Sequence, residues 1–145
     1  MAVLTQIAAL PYVIVRDEIL VCLITSRGTQ RWIIPKGWPK AKRPDYKLAA
    51  EEAREEAGLI GEVAKQPIGT YEARKRLHMF AIVRCNVLAF PLLVAAQRLN
   101  WREKSQRQVR WLPAAEAAQL VGEAGLAALI ADLPKRLAVG GGTSG

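Results

Sequence analysis

The chain has 145 residues, 51% of them apolar, and a formal net charge of +8. That length fits one domain able to bury roughly two thirds of its unfolded surface, and the apolar fraction excludes a disordered chain. The longest apolar runs, such as Val87 to Ala96, hold about ten residues, too few to span a bilayer as a helix.

The start, Met-Ala-Val-Leu-Thr-Gln, lacks the basic opening of a secretory signal. Cys22 and Cys85 both sit in apolar segments and read as buried thiols of a reducing compartment. A cytoplasmic chain without a membrane role is the expectation. Lys and Arg number 21 against 13 acids. Such a surface attracts polyanions, whether phosphorylated small molecules, nucleic acid or an acidic membrane.

In chain order, Ile7 to Val15 and Ile19 to Thr25 are rich in β-branched residues and predict a hairpin closed by Asp17-Glu18. Arg31-Trp-Ile-Ile-Pro predicts a third short strand that ends at Pro35, followed by a loop from Lys36 to Pro44. Asp45 is an expected N-cap for a helix to Ala57, with Gly58 as its C′ residue and Leu48, Ala49, Ala53 and Ala57 on the buried side. Gly61 to Leu77 predicts a strand pair or an irregular arm, and His78 to Phe90 the longest strand. Arg98 to Gln106 is loop-like, and Gln108 to Leu112 is a short strand. Pro113 is placed to open a helix to Leu120, and a last helix runs from Gly125 to a stop at Pro134. The segment 139–145, rich in glycine, is expected to be a flexible tail behind a single domain of residues 1–138. The order predicts an α/β fold, a mixed sheet with helices on both faces.

The helix carries Glu51, Glu52, Glu55 and Glu56 in an otherwise basic chain. Glu52, Glu55 and Glu56 stand at i, i+3 and i+4, which groups their carboxylates on one side. Charge pattern alone also fits a solvated helix face laced with ion pairs. A divalent ion would relieve the repulsion, and oxygen ligands select Mg²⁺ or Mn²⁺.

From Gly37 to Leu59 the chain resembles the box of the Nudix hydrolases, Gly-x5-Glu-x7-Arg-Glu-U-x-Glu-Glu-x-Gly-U, with U aliphatic. Gly37, Glu52, Glu55, Glu56, Gly58 and Leu59 match, and Ala53 stands at the first U. With Trp-Ile-Ile-Pro before the box and Arg107-Gln-Val-Arg-Trp-Leu after it, the chain looks most like bacterial relatives of the diphosphoinositol polyphosphate phosphohydrolases. The resemblance implies a Nudix-type α/β/α sandwich. It also implies a metal site of Gly37, Glu52, Glu55 and Glu56, with Glu55 and Glu52 as catalytic acids and Mg²⁺ (or Mn²⁺) as cofactor.

Two positions depart from the box. Arg43 stands where it has Glu, and Glu51 where it has Arg. The paired reversal is read as a swapped ion pair that still braces loop against helix. Arg31, Lys36, Lys40, Arg74 and Arg76, with Lys75, are the candidate phosphate-binding cations. His78, the only histidine, is expected to start a strand. Trp38 is expected to be buried under the glycine loop, or else to stack on a base or inositol ring, and Trp111 to join the core. Glu103 is either a further metal ligand or base from across the cleft, or a solvent-facing charge.

The implied function is Mg²⁺-dependent hydrolysis of pyrophosphate bonds in nucleoside diphosphate derivatives, diadenosine polyphosphates or diphosphoinositol polyphosphates. The alternative is a non-catalytic Nudix-like module that binds nucleotide or RNA; processing of RNA 5′ ends is a further possibility. The expected partner is a polyanionic small molecule, the chain being monomer or homodimer.

Overall fold

The computed structural model describes residues 3–142, with side chains described to residue 138. The elements in order are β1 (Leu4–Val15), β2 (Glu18–Thr25), β3 (Trp32–Ile33), β4 (Lys36–Gly37), α1 (Asp45–Ala57), β5 (Leu59–Val63), β6 (Gly69–His78), β7 (Ala81–Gln97), β8 (Val109–Pro113), α2 (Ala114–Leu120) and α3 (Ala124–Gly142). A single mixed sheet runs β3-β2-β1-β7-β5, with β4 on β1, β6 on β7 and β8 on β2.

β1 is the central strand, and its run of apolar residues follows from burial on both faces. Ala8, Leu10 and Tyr12 face one core, against Ala114, Ala117, Leu126, Ile130 and Leu133 of α2 and α3. Ile7 and Ala9 face the other, against Leu48, Ala49, Ala53 and Ala57 of α1. Ala49, Ala53 and Ala57 have little side chain to hold α1 off the sheet, and all three are fully buried.

The β1–β2 hairpin turns through Arg16 and Asp17, both at positive φ (51° and 66°). Two successive left-handed residues match the right-handed twist of the flanking strands. The two strands pair from Tyr12/Val21 to Val15/Glu18 and then part. Residues 32–37 enter the gap: Ile33 pairs with Ile24 of β2, while Gly37 and Lys36 pair with Ile7 and Ala8 of β1.

Several elements differ from expectation. β7 runs past Phe90 to Gln97, through Pro91. It lies parallel to β1 along one side. On the other side it pairs with β6 up to Ala89 and with β5 from Leu92 onward. Pro91, which has no N–H to give a ladder, stands where the partner changes. β5 and β6 therefore share a partner without pairing with each other. His78 ends β6 rather than starting a strand, and its Nδ1 accepts the Phe80 N–H at 3.2 Å. The hairpin beyond it projects Met79 and Phe80, which are 75% and 88% exposed.

Asp45 is the first helical residue, not the cap; the cap position is Pro44, whose carbonyl accepts from Leu48 N at 3.1 Å. Pro113 likewise precedes α2 as its cap residue. Nor does α3 stop at Pro134: it continues to Gly142, into the segment expected as a tail. A proline inside a helix loses one hydrogen bond and crowds the preceding turn, at about 3 kcal/mol. Leu126, Ile130, Leu133 and Leu137 all pack on the same core and hold the helix across that break. Residues 143–145 lie outside the described residues. Both cysteines are free and buried. Among the described residues no helix is long and apolar enough to cross a membrane.

Candidate active site

Glu52 and Glu56 are one helical turn apart on α1 and are both buried. The two carboxyl groups act on one another. The turn of chain at β4 closes on them from the sheet side. A Cβ built on Gly37 would lie 2.5 Å from the carboxyl carbon of Glu52, so a larger residue here would displace that carboxyl group. Next to it, the N–H of Lys36 donates to Glu56 Oε1 at 3.3 Å.

The far end of α1 is fixed by the loop between β7 and β8. Gly58 takes the left-handed conformation at φ 70°, and its N–H bonds back to the helix carbonyls. The Trp101 ring lies against Gly58 where a side chain would stand, and its Nε1 donates to the Glu56 carbonyl at 3.2 Å. The Glu103 N–H donates to the Glu55 carbonyl at 3.1 Å. These contacts hold the 98–107 loop over the last turn of α1 and bring Glu103 into the cleft.

Arg107 is the part of the site that sequence reasoning missed as a site residue. Its side chain is only 7% exposed, and its Nη2 lies 3.6 Å from Glu56 Oε1. Nε donates to Glu103 Oε1 at 2.9 Å and Nη1 to the Thr25 carbonyl at 3.0 Å. An arginine just ahead of a short strand has no sequence signature that separates it from a surface cation; the pairing of β8 with β2 carries it inward.

A cleft of about 650 Å³ opens here. Glu52, Glu56, Glu103 and Arg107 line one side. Arg31, Lys36, Lys40, Arg74 and Arg76, with Lys75 and Arg27, line the rest, so the candidate phosphate-binding cations converge on the acids. Trp38 also lines it and is 40% exposed, contrary to the expected burial; the short β4 ends at Gly37 and turns the next side chain outward. Trp111 is half-buried at the margin of the α1-side core, and its Nε1 donates to Gln97 Oε1 at 3.3 Å.

Glu55 is not among the cleft-lining residues. It lies 3.6 Å from Arg102. Successive helical residues differ by about 100°, so Glu52 and Glu56 nearly eclipse while Glu55 is turned aside. Among the described residues no three carboxylate, histidine or cysteine side chains converge as a ready metal cluster. Arg43 donates to Glu51, whose other oxygen is 3.8 Å from Lys40. The pair ties the loop before α1 to the helix.

Burial, and then the neighbouring Glu52 carboxyl, pushes the Glu56 carboxyl up to about 9, against the opposing pull of Arg107. Two buried carboxyls thus share a site with too little positive charge. Oxygen donors from Glu52 and Glu56, close against Gly37, fit a hard divalent ion, which would supply that charge.

No protein-family model matches the chain. By sequence it is similar to curated proteins of Arabidopsis thaliana. Nudix hydrolase 12, mitochondrial, is 28% identical over 107 residues, which are 72% of this chain and 53% of that protein. Nudix hydrolase 17, mitochondrial, is 30% identical over 105 residues, 71% of this chain and 54% of the relative. The chain spans about half the length of these relatives. By structure it is similar to a Caenorhabditis elegans Ap4A hydrolase in a binary complex, with a TM-score of 0.69, 16% identity and coverage of 94% and 98% of the two chains. The Nudix domain of Shewanella oneidensis NrtR, solved with ADP-ribose, gives a TM-score of 0.70 at 17% identity, covering 94% and 90%. The fold is the Nudix fold, and the sequence similarity is to Nudix hydrolases.

Proposed function

We propose that this Nudix-fold chain hydrolyses a pyrophosphate bond in a phosphorylated small molecule, with a divalent cation as cofactor. The reading is carried by one observation. Two buried carboxyls, that of Glu56 raised to about 9 chiefly by burial, face a cleft whose other walls are cationic. The relatives named above support it by sequence and by fold.

Glu52, Glu56 and the Gly37 carbonyl would hold Mg²⁺ or Mn²⁺, which supplies an activated water and neutralises charge on the phosphate oxygens. The chain's own residues do the rest. Arg31, Lys36, Lys40, Arg74 and Arg76 bind and orient the phosphates, the arginines through paired N–H groups. Arg107 fixes Glu103 beside Glu56. Glu55, one exposed ion pair away from the cleft, and Glu103 are the acids available to take the water's proton. Arg43 and Glu51 position the loop that carries Lys40.

The substrates that fit are nucleoside diphosphate derivatives, diadenosine polyphosphates and diphosphoinositol polyphosphates. The test is a panel of these compounds, assayed for released phosphate or nucleotide with Mg²⁺ or Mn²⁺ and again in EDTA. Metal-dependent turnover of at least one class is expected. Tight binding without turnover of any would replace the enzyme with a binding module.

A further inference from the structure

The β6–β7 hairpin leaves the body of the fold beyond Cys85. Leu4 of β1 pairs with Cys85, and residues 81–84 of β7 pair with β6 alone among the described residues. Val83 is the outermost of its side chains on the core under α3. A two-stranded ribbon with nothing packed on it is marginal in water. This one nevertheless carries Leu77, Met79, Phe80 and Ile82, each more than half exposed. Its turn is closed by its own polar groups. The Phe80 N–H donates to His78 Nδ1 at 3.2 Å, and Arg76 Nη1 donates to the Met79 carbonyl at 3.1 Å. The Met79 and Phe80 side chains stand out beyond those bonds, with the Arg76 guanidinium beside them.

Cations rim this apolar tip. Arg74 and Arg84 stand directly opposite each other in register, an arrangement that like charges disfavour. Of Arg74, Lys75, Arg76 and Arg84, only Arg84 meets an acid among the described residues, Glu72 at 3.4 Å. Clustered apolar side chains within a polar rim mark a surface that another body covers. The rim requires that body to be anionic, and the tip requires it to have an apolar layer that accepts a convex wedge. A phosphate polymer offers no seat for Leu77, Met79 or Ile82. A second copy of this chain would set each arginine against its twin, in a chain already at +8. A bilayer with anionic headgroups meets both requirements. We propose that the β6–β7 hairpin docks this protein on the surface of an anionic bilayer, with Met79 and Phe80 inserted at the acyl boundary and Arg74, Arg76 and Arg84 among the headgroups. The expectation of no membrane role is thereby set aside for the surface only, since no described helix can cross. Arg74, Lys75 and Arg76 also line the cleft, so docking brings its mouth to the headgroups. The inference goes beyond the hydrolytic reading and does not rest on it.

The test is cosedimentation of the full chain with vesicles of phosphatidylcholine alone and of phosphatidylcholine with about one third phosphatidylserine. Wild type is expected to bind the anionic vesicles about tenfold more tightly than the neutral ones, and to lose most of that binding in high salt. The double variant Met79→Ser/Phe80→Ser should bind the anionic vesicles about tenfold more weakly. It should melt with wild type, because both side chains are already in water. Arg84→Ser, at a position outside the cleft, should weaken binding about fivefold, the loss of one cation at the surface. Phe80→Trp should add a blue-shifted emission on anionic vesicles that wild type does not show, reporting insertion of the tip. Unchanged binding of the double variant, or no added shift in Phe80→Trp, would mean that net charge adsorbs the protein without the hairpin, and would overturn the proposal. Equal binding to neutral vesicles would overturn the role of the cations. No binding to either vesicle, with self-association in sedimentation velocity that the double variant removes, would overturn the bilayer and assign the tip to a second copy.

Discussion

Glu56 and Glu55 are sequence neighbours with different environments, and the difference sets what their replacement should do. Glu56 is buried against Glu52 and Arg107. Glu55 is held by Arg102, whose side chain is largely exposed. Ion pairs of that kind contribute about 0–1 kcal/mol. Arg102→Ala should therefore leave stability nearly unchanged and keep turnover at or above wild type. Glu55→Gln should lower kcat by about 10²-fold or more, in the range of a lost general base. Steady-state kinetics beside a melting curve separates the two, and equal losses in both would show that Glu55 works only through its arginine. The same scale decides the reversed pair. Glu51→Ala should cost under about 1 kcal/mol, because Arg43 is half exposed. The double variant Arg43→Glu/Glu51→Arg should melt with wild type if the contact is positional; a large loss would mean that Lys40, also on Glu51, fixes the sign of the charges. The sign reversal was legible in the sequence because both members are reversed together. The role of Arg107 was not, because it reaches the site through the pairing of β8 with β2, distant in sequence.

At the scale of elements, α1 was legible almost to the residue. Its apolar spacing is helical, and Gly58 supplies the left-handed end. Gly58→Ala should strain a backbone at φ 70° and force its methyl toward the Trp101 ring, 2.5 Å from its nearest atom. The expected loss exceeds the roughly 1 kcal/mol of a strained C′ position alone. Because Trp101 carries the loop of Glu103, metal affinity should fall with it. Unchanged Mn²⁺ affinity in the variant would disconnect loop from site. The strands were less legible. β7 looked shorter than it is because Pro91 resembles a strand breaker, whereas it stands at a change of partners, where its missing N–H is spared. α3 looked shorter because Pro134 resembles a stop. The local rule was right about the cost, and tertiary burial of Leu137 beyond the proline outweighs it. Pro134→Ala should accordingly raise stability by about 1–2 kcal/mol, a few degrees in Tm. No rise, together with no cost for Leu137→Ala, would place the working end of the helix at Leu133.

For the whole molecule, the buried acid pair couples folding, pH and metal. The Glu56 carboxyl is raised to about 9 in the fold, with burial the main cause, and an unfolded chain returns it to about 4.3. Between those values the folded state binds more protons than the unfolded one, so stability declines as pH rises. The contribution is fully present below the unfolded value and is lost as pH climbs through about 9. A divalent cation takes the proton's place, so its stabilising effect should grow across the same window, with protons released on binding. In EDTA, the Tm of wild type should fall from pH 5.5 to 9 relative to that of Glu56→Gln, which has no proton to lose. With saturating Mg²⁺ the wild-type fall should shrink, and the variant should gain little from the metal at any pH. The comparison with Glu56→Gln removes the background of a chain at +8, whose other charges shift stability in both proteins alike. Parallel Tm curves for the two proteins in EDTA would mean that Glu56 is ionised in the metal-free fold, held by Arg107 alone. The cation would then be an addition to a balanced site rather than the charge that the site was built to receive.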